Sequence, residues 1–327
     1  MKLNTQQILK GGLAVTFAAA AFCAQAQDAY PSKNITLIAP FPAGGVVDIT
    51  ARLIAEKMQT HLKGNIVVDN KPGAGGTVGT TLLARAKPDG YTLVVGDPAT
   101  HIYSPTIYPN VAYDPVKSFT PIGQISYGPL VVAVGPKTKA ATMQDLMTEL
   151  RSEGDKANYG SNGNGSTPHL ATEWFKQVTG LKTTHVPYGG GPANMTALAS
   201  GDTTYSINHI PLALGMIKGG RLRALATTGT KRSPAFPDLP TVAESGIKGY
   251  EAYSWFALFA PANLPVALQS KLSAALQATL QDPELRAKLN ALGDEPFYRS
   301  PSDLSKYLAA ETDRWVPIIK SAKISVD

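Results

Sequence analysis

Short apolar, β-branched segments alternate with amphipathic helical patterns along most of the chain. The N-terminal half contains ITLIA (35–39), NIVVDN (65–70) and YTLVVGD (91–97), with a helical pattern between each pair. The alternation resumes with PLVVAVG (129–135) and continues to LRALATTG (222–229). Because strands that alternate with helices pair as parallel βαβ units, this order predicts an α/β fold.

These patterns fall into two halves, which are separated by the irregular, proline-rich segment 102–123. A chain of 327 residues is long enough for two medium-sized domains, each with its own hydrophobic core. We therefore predict a discontinuous domain 1, formed by residues 27–125 and 253–327, and a domain 2 formed by residues 126–252. The C-terminal third of the chain is predicted to be mainly helical.

The first 26 residues have the pattern of a secretory signal peptide. Lys2 and Lys10 give a positive start, residues 11–22 are apolar, and Ala24 and Ala26 supply the small residues of a cleavage site. The apolar run is shorter than the ~20 residues that a membrane-spanning helix needs. We therefore expect residues 1–26 to be removed on export to the periplasm.

Composition narrows the chemistry that the exported protein can perform. Cys23 is the only cysteine and lies in the predicted signal peptide, which excludes disulfides, thiolate nucleophiles and cysteine-type zinc sites from the mature chain. The five histidines show no metal-type spacing, and the net charge of +6 comes from scattered lysines and arginines. We predict a monomer that uses no metal, no cofactor and no nucleic-acid partner.

Two strand-to-helix junctions share an unusual glycine-rich sequence. PFPAGGVVD (40–48) and TTHVPYGGGPAN (183–194) each follow an apolar strand pattern and lead into a helical one. Such a junction leaves the first N–H groups of the helix unpaired, and glycine lets a ligand approach the backbone closely. Glycines at such junctions more often just make tight turns. Two instances in matching positions of the two halves favour an anion site, because ligands of open α/β sheets bind at the carboxyl ends of strands.

Several longer segments resemble one known family, the extracytoplasmic solute receptors of tripartite tricarboxylate transporters, often called Bug-type receptors. The similarity covers essentially the whole chain after the signal peptide. The segments that carry it are YPSKNITLIAPFPAGGVVDITAR (30–52), VVDNKPGAGGTVG (67–79), PDGYTLVVG (88–96), NYGSNGNGSTPHLATEWFK (158–176), HVPYGGGPANMTALASG (185–201), KRSPAFPDLPTVAESG (231–246) and YSWFALFAPANLP (253–265).

This resemblance implies a two-domain Venus flytrap fold that binds a small carboxylate in the cleft between its domains. It implies that loops 41–47 and 188–193 hold the carboxylate through backbone N–H groups and ordered water, and that a membrane permease receives the solute. The residues expected at the cleft are Phe41, Ala43, Gly44, Gly45, Val46, Asp97, Thr100, His101, Ser161, Asn162, Thr167, His169, Tyr188, Gly189, Gly190, Gly191 and Asn208.

One position departs from the family pattern. Members of the family often carry an acidic residue where this chain has Asn208. An amide cannot balance a ligand ammonium as a carboxylate does, so the departure disfavours an amino-acid ligand. Dicarboxylates, aromatic acids and nicotinate-like acids all remain open as ligands.

The alternative function is that of an exported α/β enzyme acting on a small carboxylate. Segments 73–79 and 160–165 nearly match the dinucleotide-binding fingerprint, but the first has one residue too many and the glycines of the second do not have the required spacing. The G-x-S-x-G elbow of serine hydrolases is absent, and Ser166 lies only three residues before His169. We therefore favour a periplasmic solute receptor over an enzyme.

Overall fold

The computed structural model describes residues 30–321 and residue 324, so the predicted signal peptide lies outside the described residues. The strands of the described part are β1 (Ile35–Ala39), β2 (Ile66–Asn70), β3 (Thr92–Gly96), β4 (Phe119–Val134), β5 (Asn158–Ser161), β6 (Thr184–Pro187), β7 (Tyr205–His209), β8 (Arg223–Thr227), β9 (Tyr253–Pro261) and β10 (Glu295–Pro296). Its α-helices are α1 (Val46–Leu62), α2 (Thr77–Ala84), α3 (Ser104–Ile107), α4 (Met143–Glu153), α5 (Thr167–Thr179), α6 (Gly191–Ser200), α7 (Ile210–Lys218), α8 (Val266–Thr279), α9 (Pro283–Ala291) and α10 (Pro301–Ser321).

The described strands form one curled, mixed sheet in the order β2-β1-β3-β9-β4-β7-β5-β6, and β8 and β10 also pair with β4. Strands β1, β2 and β3 are parallel to each other, as are β5, β6 and β7. Strands β4 and β9 run antiparallel to their neighbours. The prediction of an α/β fold is thus confirmed, with the addition of two antiparallel strands at the centre.

Strand β4 connects the two halves of the molecule. Residues 119–129 of this strand pair with β9, whereas residues 130–134 pair with β7 and β8. The sequence pattern placed Pro121 in an irregular passage, but the strand accommodates this proline through a shift of register between Pro121 and Gly123. The predicted domain boundaries at 125/126 and 252/253 lie within or beside these two central strands and stay a prediction.

Helix α1 illustrates how the sequence builds the layers around the sheet. Its buried side chains include Ala51, Ile54, Ala55 and Met58, which recur at intervals of three and four residues and therefore share one face. This face joins β1, β3 and α8 in one hydrophobic core. The helix ends at Lys63, which adopts the left-handed conformation, with φ of 55°.

The topology brings the carboxyl ends of strands from both halves to one region. Loops or helix starts follow β1 and β3 in one half and β5, β6 and β7 in the other. These five junctions contain most of the residues that line the cleft described below. In residues 30–321, no helix is both long and apolar enough to span a bilayer.

Candidate ligand-binding cleft

A cleft with a cavity volume of about 30 Å³ lies between the strand-end loops of the two halves. Its walls are mostly apolar side chains, interrupted by backbone at the starts of helices. The lining residues are Phe41, Pro42, Gly45, Val46, Val47, Asp97, Asn162, Ser166, Thr167, Pro168, Gly190, Gly191, His209 and Leu212. A cavity of this size holds about two water molecules, so the cleft is narrow in this form, and residues from both halves would contact a bound molecule.

The first glycine loop places the start of α1 at the cleft. Gly45 directly precedes the helix. A hydrogen bond of 3.1 Å from Gly45 N to Pro42 O closes the turn that leads into the helix. Gly45 has an ordinary φ of −73°, so this position does not require the conformational freedom of glycine. Val46 and Val47 form the first turn, where backbone N–H groups have no acceptor within the helix.

Asp48 organises this loop from inside the helix. Its Oδ2 atom accepts a hydrogen bond of 2.9 Å from Gly44 N, and its Oδ1 atom lies 2.9 Å from the Arg52 guanidinium. Burial opposes the ionisation of Asp48, but hydrogen bonds from Arg52, Gly44 and Asn70 outweigh it and hold the pKa below its usual value. The N–H group of Gly44 therefore already has an acceptor, and Asp48 stabilises the loop at the start of α1.

The second glycine loop places the start of α6 opposite the first. Gly190 has a φ of 137°, which side chains with a Cβ atom rarely adopt. A Cβ atom on Gly190 would lie 3.1 Å from Pro42 Cγ in the first loop, so the two loops touch. A Cβ atom on Gly191 would lie 2.2 Å from Leu212 Cδ1. Glycine is therefore required at position 190 for its backbone conformation, whereas at position 191 the nearest atom is the end of the Leu212 side chain, which can shift.

Two further helices begin at the cleft. Ser166 caps α5 by accepting a hydrogen bond from His169 N, and the next residue, Thr167, lines the cleft. Helix α7 follows His209 directly. Helices α5, α6 and α7 each have a proline at the second position, which removes one N–H group that the helix cannot satisfy. The starts of α1, α5, α6 and α7 thus all open onto the cleft.

The partial positive charge at the cleft comes from helix dipoles and not from basic side chains. Among the described lining residues there is no lysine or arginine, and Asp97 is the one charged side chain. Each helix start carries partial positive charge, and four of them converge here. Burial raises the pKa of Asp97 to about 6, although Thr100 donates hydrogen bonds to its carboxylate.

Two buried polar atoms of the lining have no hydrogen-bond partner among the described residues, namely Thr167 Oγ1 and His209 Nδ1. Thr167 is 2% exposed and His209 is 5% exposed. Leaving a buried polar group unpaired costs about 1–3 kcal/mol. Both atoms are therefore suited to receive a hydrogen-bonding group of a bound molecule.

Three asparagines form a hydrogen-bonded cluster beside the cleft. Asn208 Nδ2 donates to Asn162 Oδ1 at 2.9 Å, and Asn162 Nδ2 donates to Asn208 Oδ1 at 3.2 Å. Asn194 Nδ2 also donates to Asn162 Oδ1. Asn162 lines the cleft, whereas Asn208 is completely buried behind it and has no place in the lining.

The structure places three predicted histidine and serine contacts outside the lining. His101 stacks on Phe259 with 3.9 Å between ring centroids, within the core. His169 stacks on His185 at 4.0 Å, and its Nδ1 atom accepts a hydrogen bond from Gly165 N. The Ser161 hydroxyl lies 2.6 Å from His185 Nε2. Burial lowers the pKa of His101 and of His169 to about 3, so both rings are neutral.

The remaining predicted residues divide between the cleft and its surroundings. Those in the lining are Phe41, Gly45, Val46, Asp97, Asn162, Thr167, Gly190 and Gly191. Tyr188 and Gly189 line a neighbouring pocket that shares Phe41 and Asn162 with the cleft. Ala43 and Gly44 are exposed, and Thr100 is buried against Asp97. As ligand contacts, all of these residues stay predictions.

Sequence reasoning missed six residues of the lining: Pro42, Val47, Ser166, Pro168, His209 and Leu212. The first two lie within the predicted loop 41–47 but were not singled out. His209 and Leu212 belong to a strand-to-helix junction without glycine, so the glycine pattern did not identify this junction. The proline shared by the starts of α5, α6 and α7 is the signal that could have revealed it.

No group of three or more histidine, aspartate, glutamate or cysteine side chains in the described part is arranged to hold a metal ion.

The model of the tripartite tricarboxylate transporter family receptor matches residues 50–324. The chain belongs to this receptor family.

Individual relatives agree with the family match. The chain is 32% identical over 295 residues to protein BugT of Bordetella pertussis, with 90% of each chain covered. It superposes on R. palustris Rpa4515 with adipate at a TM-score of 0.88 and 35% identity, covering 90% of this chain and 99% of that one. MatC of Rhodopseudomonas palustris with bound malate gives a TM-score of 0.84 and 30% identity, with coverages of 89% and 100%.

Membership in the family settles the broad function. The protein is a solute-binding receptor of the Bug type and not an enzyme, so the alternative of an exported α/β enzyme is set aside. The similar structures are two-domain solute-binding proteins, which confirms the predicted architecture. The four helix starts can accordingly be considered as parts of a solute site.

Proposed function

We propose that this receptor captures a small carboxylate in the periplasm and delivers it to a membrane permease of a tripartite tricarboxylate transporter. The export step is supported by the predicted signal peptide, residues 1–26. The permease as partner is supported by the family to which the chain belongs. The carboxylate is supported by two similar structures, which contain adipate and malate.

The observation that carries the proposal is the convergence of four helix starts on a cleft without a basic side chain in its described lining. Backbone N–H groups at helix starts bind anions, and the helix dipole adds to the attraction. The N–H groups of Val46, Val47 and Gly191 are the proposed donors. Since the walls are mostly apolar, the body of the ligand is expected to be aliphatic or aromatic.

Ligand capture is expected to close the cleft. The donors belong to loops in both halves, and those loops already touch at Pro42 and Gly190. Only the closed form presents both sets of donors to one carboxylate, so the ligand favours that form. The permease would then recognise the closed receptor.

A thermal-shift panel tests the proposal. Aliphatic and aromatic mono- and dicarboxylic acids are compared with their amides, which have a similar shape but no charge. A ligand at a hundred times its dissociation constant stabilises the folded protein by about 2.7 kcal/mol, which corresponds to a shift of several degrees. At least one acid is expected to raise the melting temperature while its amide does not. Equal effects of acid and amide, or no effect of any acid, would overturn the proposal.

A further inference from the structure

His209 occupies an unusual position between the cleft and the centre of the sheet. It is the last residue of β7, it precedes α7, and it is one of the residues that line the cleft. The side chain is 5% exposed, and burial lowers its pKa to about 3, so the imidazole is neutral. A neutral imidazole has one nitrogen that donates a hydrogen bond and one that accepts.

The two ring nitrogens of His209 have different surroundings. Nε2 lies 3.1 Å from the hydroxyl oxygen of Ser254, whereas Nδ1 is buried and has no partner among the described residues. Ser254 belongs to β9 and is 1% exposed. Strand β9 pairs with β3 and with the first part of β4, whereas β7 pairs with the last part of β4. The contact therefore joins the two halves.

The Ser254 hydroxyl determines which nitrogen carries the proton. His209 is the only side-chain partner of this hydroxyl in the described part of the chain. If Nε2 donated to the hydroxyl oxygen, the buried hydroxyl hydrogen would have no acceptor. If the hydroxyl donates to Nε2, its hydrogen is satisfied and the proton of the imidazole resides on Nδ1. The second arrangement leaves Nδ1–H as a buried donor without an acceptor among the described residues, on a residue that lines the cleft.

We propose that His209 Nδ1–H recognises a second acceptor oxygen of the ligand, apart from the carboxylate held at the helix starts, and that Ser254 positions this donor by fixing the tautomer. The ligand class is accordingly a carboxylate that carries a further acceptor group, such as a second carboxylate. This inference rests on the proposed function of the cleft. It makes His209 a specificity-determining residue and Ser254 a positioning residue.

Two substitutions of His209 separate ligand recognition from a structural role. The side-chain nitrogen of asparagine occupies about the position of Nδ1, so His209→Asn retains the donor toward the cleft and loses the contact with Ser254. The nitrogen of glutamine occupies about the position of Nε2, so His209→Gln retains the contact with Ser254 and loses the donor. If His209 only braces β7 against β9, His209→Gln should be the less harmful of the two variants, because it retains the contact with Ser254.

The experiment measures affinities by calorimetry for chain-length-matched pairs of acids, such as adipate and hexanoate. Wild type should bind at least one diacid more tightly than its monoacid. His209→Gln should lose ten- to a hundredfold in affinity for that diacid, as expected for a lost hydrogen bond to a charged group, and should bind the monoacid as before. His209→Asn should retain most of the diacid affinity.

Ser254→Ala provides a milder test, because it leaves the His209 ring in place. Without the hydroxyl, Nδ1 no longer holds the proton preferentially, and the diacid affinity should fall several-fold. Ser273→Ala is the matched control, since Ser273 is 7% exposed and donates to Ile122 O at 2.8 Å, outside the lining. Melting curves of the unliganded variants establish that each one is folded.

The outcomes distinguish this inference from the proposed function. If wild type binds monoacids as tightly as diacids, if His209→Gln keeps the diacid affinity, or if both His209 variants weaken the two acids equally, the inference is wrong and the carboxylate receptor stands. If no acid binds to wild type, both are overturned.

Discussion

Pro42 and Gly190 touch across the cleft, so that a Cβ atom added to Gly190 would lie 3.1 Å from Pro42 Cγ. The contact joins the glycine loop that follows β1 to the one that follows β6. It requires a residue without a side chain at position 190, where φ is 137°. This contact between the two loops thus depends on glycine at position 190.

Gly190→Val is expected to abolish carboxylate binding, or to weaken it at least tenfold. The valine side chain would collide with Pro42 and would strain the backbone, which together prevent closure of the two loops. Calorimetry with an acid from the thermal-shift panel measures the loss. Gly215→Ala is the control, because a Cβ atom there meets no other atom within 4 Å. Wild-type affinity in Gly190→Val would show that the loops do not close on the ligand.

Thr167→Val removes the unpaired hydroxyl from the lining and keeps the shape of the side chain. The unliganded protein should keep its stability or gain about 1 kcal/mol, because a buried polar group without a partner is lost. Affinity for the ligand should fall about fivefold or more, since the hydroxyl can no longer pair with it. Chemical denaturation and calorimetry give the two quantities.

Thr172→Val is the comparison for this prediction. Thr172 lies on the same helix and is fully buried, but its hydroxyl donates to Pro168 O at 2.8 Å. This change should destabilise the protein by about 1 kcal/mol and leave the affinity unaltered. If Thr167→Val is the more destabilising of the two and has no effect on binding, the hydroxyl of Thr167 has a structural partner instead.

The glycine loops show what sequence alone can establish about this site. Loops 41–47 and 188–193 were predicted because glycine and proline punctuate a strand-to-helix pattern, and both loops lie at the cleft. The junction at His209 also places a helix start at the cleft but has no glycine, and the proline at the second position of α7 is its one signal in the sequence.

Two histidines show where residue type and family pattern do not predict the position of a side chain. His101 and His169 were expected at the cleft because of their polarity and their place in the family pattern. In the structure, one ring stacks on Phe259 and the other on His185, since an aromatic ring without charge packs well in a core. The full length of strand β4 was also not predicted from the sequence, because a proline such as Pro121 normally ends a strand. The shift of register beside it, which allows the strand to continue, is seen only in the structure.

Asn208→Asp should destabilise the protein without creating a site for amino acids. Asn208 is completely buried, and its Nδ2 atom donates to Asn162 Oδ1, so an aspartate would place two oxygens against each other. A loss of about 1–3 kcal/mol in the free energy of unfolding is expected. Glutarate and glutamate, which differ by an ammonium group, measure the specificity. A tenfold gain for glutamate would show that position 208 does reach the ligand.

Asp294 should make the stability fall as the pH rises from about 4 to about 7. Burial raises the pKa of this carboxyl to about 7, so the folded protein holds a proton that the unfolded chain releases near pH 4. The contribution of Asp294 is therefore fully present below pH ~4 and is lost as the pH rises through the folded pKa. The full loss is of the order of 4 kcal/mol.

Asp294→Asn isolates this effect, because every other titrating group is common to both proteins. Unfolding free energies of wild type and variant are measured by denaturant titration from pH 4 to pH 8. The stability of the variant relative to wild type should increase steadily over this range. A constant difference would mean that Asp294 is solvated and titrates normally.

The most direct measurement is a crystal structure of the receptor with the acid that stabilises it most. The account predicts a carboxylate oxygen within about 2.7–3.2 Å of backbone nitrogens at Val46, Val47 or Gly191, with no lysine or arginine side chain within about 4 Å. A carboxylate paired with a basic side chain, or bound outside the cleft, would contradict it.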